Sequence, residues 1–136
     1  MEAMLPYFSE LYGNPSSVYE FSQKSKEAIT GARETIAKCL GAKTGEIYFT
    51  AGGSESDNWA MKAAAEAYRG KGNHIITSKI EHHAVLHTGA WLEKQGFEVT
   101  YLDVDENGTV KLEELKKAIR PTTILISIMF ANNEIG

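Results

Sequence analysis

Four short apolar runs limit what this chain can fold into: residues 46–50 (EIYFT), 74–78 (HIITS), 97–103 (FEVTYLD) and 123–130 (TILISIMF). Helix-length segments separate them. Residues 55–69 are Ala-rich and closed by Gly70 and Gly72, residues 83–94 are closed by Gly96, and residues 112–119 stop near Pro121. Strands alternating with helices predict βαβ units and a parallel sheet, hence an α/β fold class. Upstream, residues 1–12 read as a helix stopped by Gly13-Asn14-Pro15. A second helix, capped by Ser16 or Ser17, carries Phe21, Ala28, Ile29, Ala32, Ile36 and Leu40 on one face and ends at Gly41. No internal repeat, low-complexity tract or linker divides the chain.

Composition excludes several classes. At 136 residues, 43% hydrophobic and 24% charged, the chain is one domain's length and can bury a core. Eighteen acidic against fourteen basic residues give a net charge of −4, and no basic run exceeds Lys116-Lys117. Nucleic acid and anionic membrane are therefore not expected partners. The single Cys39 excludes a disulfide framework and CxxC motifs, and reads as a small buried hydrophobe on an amphipathic helix. No apolar stretch approaches the ~20 residues of a membrane span and no leader opens the chain, so the expected location is cytoplasmic. The 123–130 run suits a central strand covered on both faces, yet the sequence stops at Gly136. The chain is therefore expected to be a piece of something larger, or to associate in several copies.

Ligands of open parallel sheets gather beyond the carboxyl ends of the strands. Three such ends are unusually polar: residues 50–58 (TAGGSESDN), 79–83 (KIEHH) and 132–134 (NNE). In the first, Gly52 and Gly53 permit close backbone approach, a helix N-terminus follows, and Ser54 adds a hydroxyl, which together suit a phosphate. The same residues equally suit a plain glycine turn with Ser54 as N-cap, and they match neither G-x-G-x-x-G nor the P-loop. His82 and His83 sit at a strand-to-helix junction, where a histidine can exchange protons, stack on a planar ligand, or merely cap the helix. His83 and His87 are four apart, but no third ligand is evident and no metal is expected. Asn132, Asn133 and Glu134 can bind a ligand or form an Asn-rich turn. Trp59, Trp91, Tyr68 and Met61 read as core or interface, and Asp103, Asp105 and Glu106 as a solvated turn.

Taken together, Gly-Asn-Pro-Ser-Ser at 13–17, Phe-Thr-Ala-Gly-Gly-Ser-Glu-Ser-Asp-Asn at 49–58, Thr-Ser-Lys-Ile-Glu-His at 77–82 and Asn-Asn-Glu-Ile-Gly at 132–136 resemble the cysteine desulfurases of the NifS/IscS type. These are class V aminotransferases of the aspartate-aminotransferase fold (fold type I). The resemblance implies that residues 1–136 are part of the large domain that binds pyridoxal 5'-phosphate. It assigns Gly53 and Ser54 to the cofactor phosphate, His82 to ring stacking and catalytic proton transfer, and Asn133 to the ring hydroxyl. The family commonly has Thr at Ser54, and His, Gly and Ala at Tyr19, Ser22 and Ser25, so the first helix is expected to pack differently here. The family's first strand is absent. So is everything after the NNEIG motif, including the Schiff-base lysine, the aspartate paired with the pyridine nitrogen, the substrate-carboxylate arginine and the nucleophilic cysteine, whose place Cys39 does not occupy.

For the full enzyme the resemblance implies conversion of L-cysteine to L-alanine, with the sulfur passed as an enzyme persulfide to acceptors such as iron–sulfur scaffold or tRNA-thiolation proteins. It also implies a homodimer. This chain alone is expected to be inactive. Three alternatives stand beside this reading: a related selenocysteine lyase or class V aminotransferase, a noncatalytic split subunit or accessory module pairing through its apolar sheet edge, and a plain phosphate- or nucleotide-binding α/β domain.

Overall fold

The computed structural model describes residues 1–136, which divide into two compact units, Met1–Phe49 and Thr50–Gly136. In the first unit, the helix expected over residues 1–12 is a 3-10 turn, Glu2–Met4, followed by the short α1 (Pro6–Ser9). Pro6 lacks an amide donor and fits only at a helix start, which divides the two. Helix α2 (Glu20–Leu40) begins at Tyr19 with no side-chain cap, so neither expected serine caps it. The Ser16 amide instead donates to Asn14 Oδ1 at 3.0 Å in an Asx turn. Gly41 ends α2 at φ 65°, and the Ala42 amide donates to the Ala37 carbonyl at 2.9 Å, a Schellman closure.

The residues α2 buries are Ser22, Ser25 and Ala37, not the expected apolar stripe. Ala28, Ile29 and Ala32 instead line an open apolar cleft of about 400 Å³ with Tyr7 and Phe49. Ser25 Oγ donates to the Leu11 carbonyl at 2.7 Å. Cys39, expected to be buried, is exposed. It lies two positions beyond buried Ala37, about 200° around the helix. The run at 46–50 is also not a strand. Thr44–Glu46 is a 3-10 turn, closed by Glu46 Oε2 accepting from the Lys43 amide at 2.7 Å, and the chain then extends through Ile47 without joining the sheet. Extended backbone becomes a strand only with a ladder partner, and the Ile47 carbonyl accepts from Arg33 Nε at 3.2 Å instead.

The second unit carries α3 (Gly53–Tyr68), β1 (His74–Ser78), α4 (His83–Lys94), β2 (Glu98–Leu102), α5 (Leu112–Ala118) and β3 (Thr123–Ser127). The three strands are parallel in the order β2-β1-β3, with Ile76 beside Thr100 on one side and Ile126 on the other. All five residues of β1 are buried, so the central strand is HIITS. Within these residues β3 lies at an edge and is half-buried, the incompletely covered apolar strand that marked the chain as a piece of something larger. From β2 the chain returns past β1, so β3 pairs on the other side of β1. Met61, Ala65, Ile75, Val85, Leu92 and Phe97 form the core, with Val99, Ile124 and Leu125 packed on it. Each large member contributes about 1.5–3 kcal/mol by leaving water.

Two close fits set the amino end of the sheet. A Cβ on Gly72 would meet the Thr122 carbonyl carbon at 2.7 Å and its oxygen still closer, so only glycine lets the chain enter β1 there. The His74 ring, fully buried, bridges the neighbouring strands through Thr123 Oγ1 at 2.7 Å and Thr100 Oγ1 at 2.8 Å. At the other end the topology makes a crevice. Parallel crossovers are right-handed as a rule, which assigns α4 and α5 to opposite faces of the sheet, because the chain moves outward to β2 and then back past β1. The order therefore reverses between β1 and β3, the point where open α/β sheets bind ligands.

Candidate functional site

A cleft of about 250 Å³ opens at that reversal, lined by Ile80, His82, Leu86, Asn132 and Asn133 among others. It joins the polar end of β1 to the polar segment after β3, two of the three segments that the sequence placed on one rim. His82 is the N-cap of α4: its Nδ1 accepts from the Ala84 amide at 3.0 Å. An amide can only donate, so the neutral ring carries its proton on Nε2, the nitrogen left for other partners. The capping role and an exposed, chemically free Nε2 coexist in one residue.

Behind His82, Glu81 is 7% exposed. Its Oε1 accepts from Ser78 Oγ at 2.9 Å and from the Met129 amide at 2.8 Å. Asn132 reaches back: its Nδ2 donates to the Ile80 carbonyl at 2.8 Å, while its Oδ1 accepts from the amides of Glu134 at 2.8 Å and Ile135 at 3.1 Å. Asn132 is thus committed to backbone, and Asn133 is the exposed asparagine of the pair. Sequence reasoning missed Glu81, because its partner lies 48 residues away.

The third segment heads α3 rather than ending a strand, since residues 46–50 form none. Gly52 is the N-cap, so Ser54 stands inside the first turn and is not the cap that a plain glycine turn would make of it. Glu55 Oε2 accepts from the Ala51 amide at 2.6 Å, and Thr50 Oγ1 lies 2.7 Å from Ser56 Oγ. The first helical bond comes from the Ser56 amide to the Gly52 carbonyl. The amides of Gly53 and Ser54 precede it and point out of the helix start. Nothing lies within 4 Å of a Cβ built on Gly52 or Gly53. The chain's own packing does not require glycine there, whereas close approach of an anion does. Gly53 and Ser54 do not line the β1/β3 cleft.

Other polar groups are accounted for locally. The His83 and His87 rings are 5.3 Å apart between centres and the His82 ring is 6.4 Å from that of His83, but no three His, Cys, Asp or Glu side chains are placed to hold a metal ion together. Residues 103–114 match the spacing of a calcium loop, D-x-D-x-N-G with a closing Glu114. Yet Asp103 Oδ1 pairs with Lys79 Nζ at 2.6 Å, Asp105 Oδ1 accepts from the amides of Asn107 and Thr109, and Glu114 faces Lys111 at 3.7 Å. Those carboxylates do not converge. Two shifted pKa values lie at other places: burial, then Arg120, holds His74 below the ordinary histidine value, and burial, then Glu93, pushes Tyr101 up. Trp59 and Trp91 are about half exposed, whereas Met61 is core.

The family profile described as aminotransferase class-V matches residues 1–136. The chain belongs to the class V aminotransferases. Among class V relatives, the cysteine desulfurase IscS of Methanosarcina thermophila is 68% identical over 136 residues, covering 100% of this chain and 34% of the relative. The cysteine desulfurase IscS of Clostridium botulinum (strain Kyoto / Type A2) is 62% identical with the same coverage. A solved NifS-like protein matches with a TM-score of 0.94 at 45% identity, over 99% of this chain and 37% of that one. SspA in complex with cysteine matches at 0.90, again 45% identical, over 98% and 38%. The chain spans 34% of the length of these curated relatives. The class V fold read from the four motifs is the fold of these proteins, and no helix here is long and apolar enough to cross a membrane.

Proposed function

We propose that residues 1–136 form part of the large cofactor-binding domain of a cysteine desulfurase. The observation that carries this is the cleft at the β1/β3 reversal, with His82 and Asn133 on its two sides. The 68% identity to a desulfurase supports it. The residues present fit pyridoxal 5'-phosphate: the outward amides at Gly53 and Ser54, with open space over the glycines, suit a phosphate. In this reading Gly53 and Ser54 hold the phosphate, Asn133 hydrogen-bonds the ring hydroxyl, and His82 lies on the ring and exchanges protons at Nε2. When bound, the cofactor supplies the electron sink that substrate bond cleavage needs.

L-cysteine is the substrate in this reading, as the solved SspA–cysteine complex supports. It leaves as L-alanine, and its sulfur passes to a cysteine of the enzyme as a persulfide. Acceptor proteins for iron–sulfur clusters or tRNA thiolation then take that sulfur. The working unit is a cytoplasmic homodimer. Cys39 does not match the family's nucleophile and no lysine here has the Schiff-base context, so the 136-residue chain is inactive by itself.

The test is to express the whole reading frame that contains this chain, load it with pyridoxal phosphate, and follow alanine from L-cysteine. Alanine formed in step with sulfide under reductant is the expected result. No cofactor absorbance in the whole protein, or alanine made by residues 1–136 alone, overturns it. A preference for selenocysteine over cysteine would move the assignment to a lyase of the same fold.

A further inference from the structure

The backbone ladder between β1 and β3 stops at Thr77 and Ser127. Beyond it, the β1 loop is bonded on its other side, where the Lys79 amide donates to the Leu102 carbonyl at 3.0 Å. The two walls of the cleft are therefore held together by side chains. Glu81 reaches from the first wall to the second through the Met129 amide, and Asn132 reaches from the second to the first through the Ile80 carbonyl. The bonds cross in opposite directions, and each comes from the residue next to a proposed cofactor contact: Glu81 beside His82, Asn132 beside Asn133. Burial makes the arrangement stiff, because a carboxylate only 7% exposed has few other donors to replace those on Oε1.

We propose that Glu81 and Asn132 are positioning residues, a reciprocal clamp that sets the separation of His82 and Asn133 across the cleft. The ligand in this inference rests on the pyridoxal phosphate reading above; the clamp itself does not. Neither residue touches the cofactor in this proposal. Each acts through its neighbour, as outer partners act on ligating side chains. Both bonds to Glu81 end on Oε1, and Oε2 has no protein donor. Glutamine can therefore replace it, its amide oxygen accepting both bonds. Aspartate cannot replace Asn132, because it has no hydrogen for the Ile80 carbonyl.

The experiment uses the whole protein with Glu81→Ala, Glu81→Gln, Asn132→Ala and Asn132→Asp, and has two readouts. The first is hydrogen exchange in peptides covering residues 79–86 and 128–136, without cofactor. The expected result is crosswise: Glu81→Ala speeds exchange over 128–136, Asn132→Ala and Asn132→Asp speed it over 79–86, and Glu81→Gln restores the unsubstituted pattern. The second is cofactor titration. Glu81→Ala and Asn132→Ala each weaken pyridoxal phosphate binding about 10-fold or more and shift its visible band. The double variant loses little beyond either single one, because both break one device.

Exchange confined to the mutated wall overturns the clamp. Crosswise exchange with unchanged affinity and band overturns the positioning role and leaves a purely structural tie. An unsubstituted protein that binds no cofactor overturns the cofactor reading, and the crosswise exchange pattern then still decides whether the clamp exists.

Discussion

Glu81 and Met129 stand 48 residues apart and are joined by a 2.8 Å hydrogen bond from the Met129 amide to Glu81 Oε1. That bond connects the end of the central strand to the segment beyond the edge strand, at the one place where the order of the sheet reverses. Parallel ladders supply the register up to Thr77 and Ser127. A buried carboxyl side chain takes over where they end, so one wall of the cleft is tied to the other through Glu81. Its burial is tolerable because a hydroxyl and an amide both donate to Oε1.

His74 makes stability depend on pH. Burial, reinforced by Arg120, keeps its folded-state pKa below the ordinary 6.5. As pH falls through 6.5 the unfolded chain takes up a proton that the folded chain refuses. Stability therefore declines from about pH 6.5 down to the folded pKa and is flat above that window. Denaturant midpoints across this range should show the loss. His74→Phe should remove this component of the slope, while costing about 1–3 kcal/mol for the Thr100 hydroxyl it leaves unpaired; Thr123 Oγ1 keeps the Arg120 amide at 2.9 Å.

Gly72→Ala should destabilise the second unit. The new methyl would press on the Thr122 carbonyl, whose carbon lies 2.7 Å from where a Cβ would stand, and backbone cannot rotate away as a side chain can. A cost of about 1–3 kcal/mol is expected. Gly70→Ala, with open space around it, is the control and should stay near the unsubstituted midpoint.

The serine at position 25 donates to the Leu11 carbonyl at 2.7 Å from a buried position. Ser25→Ala should cost about 1 kcal/mol by leaving that carbonyl without its donor. Midpoints unchanged by the substitution would show that the carbonyl finds another donor.

How far the sequence carries the fold follows from what each feature depends on. The Gly41 and Gly96 helix ends, the HIITS strand and the α/β class depend on local pattern, and all are where the pattern puts them. EIYFT has strand composition, but a strand also needs a partner, and pairing is not written in the residues themselves. TILISIMF is more apolar than HIITS yet only half-buried within these residues, which is the mismatch that its composition announced. Cys39 is exposed against its residue type, because its position on the helix outweighs its preference for burial. At the cleft, His82 and Asn133 are legible as polar residues beyond strand ends, while the contacts of Glu81 are not. Its role exists only once residues 78, 81 and 129 have met.

His82 offers the sharpest separation of structure from chemistry, because it caps α4 through Nδ1 and leaves Nε2 for a partner. His82→Ala removes both and should cost about 0.5–2 kcal/mol of stability, the usual loss for a missing N-cap. Asparagine is a strong N-cap residue, so His82→Asn should recover most of that stability. It has no nitrogen that can take and return a proton near neutral pH. If His82 moves protons in turnover, His82→Asn in the whole, cofactor-loaded protein should be stable yet slower by about 10²–10⁴-fold. Melting and alanine production measured on the same preparation give the answer. A stable His82→Asn protein with undiminished turnover would reduce His82 to a helix cap and leave the proton-transfer assignment without a residue.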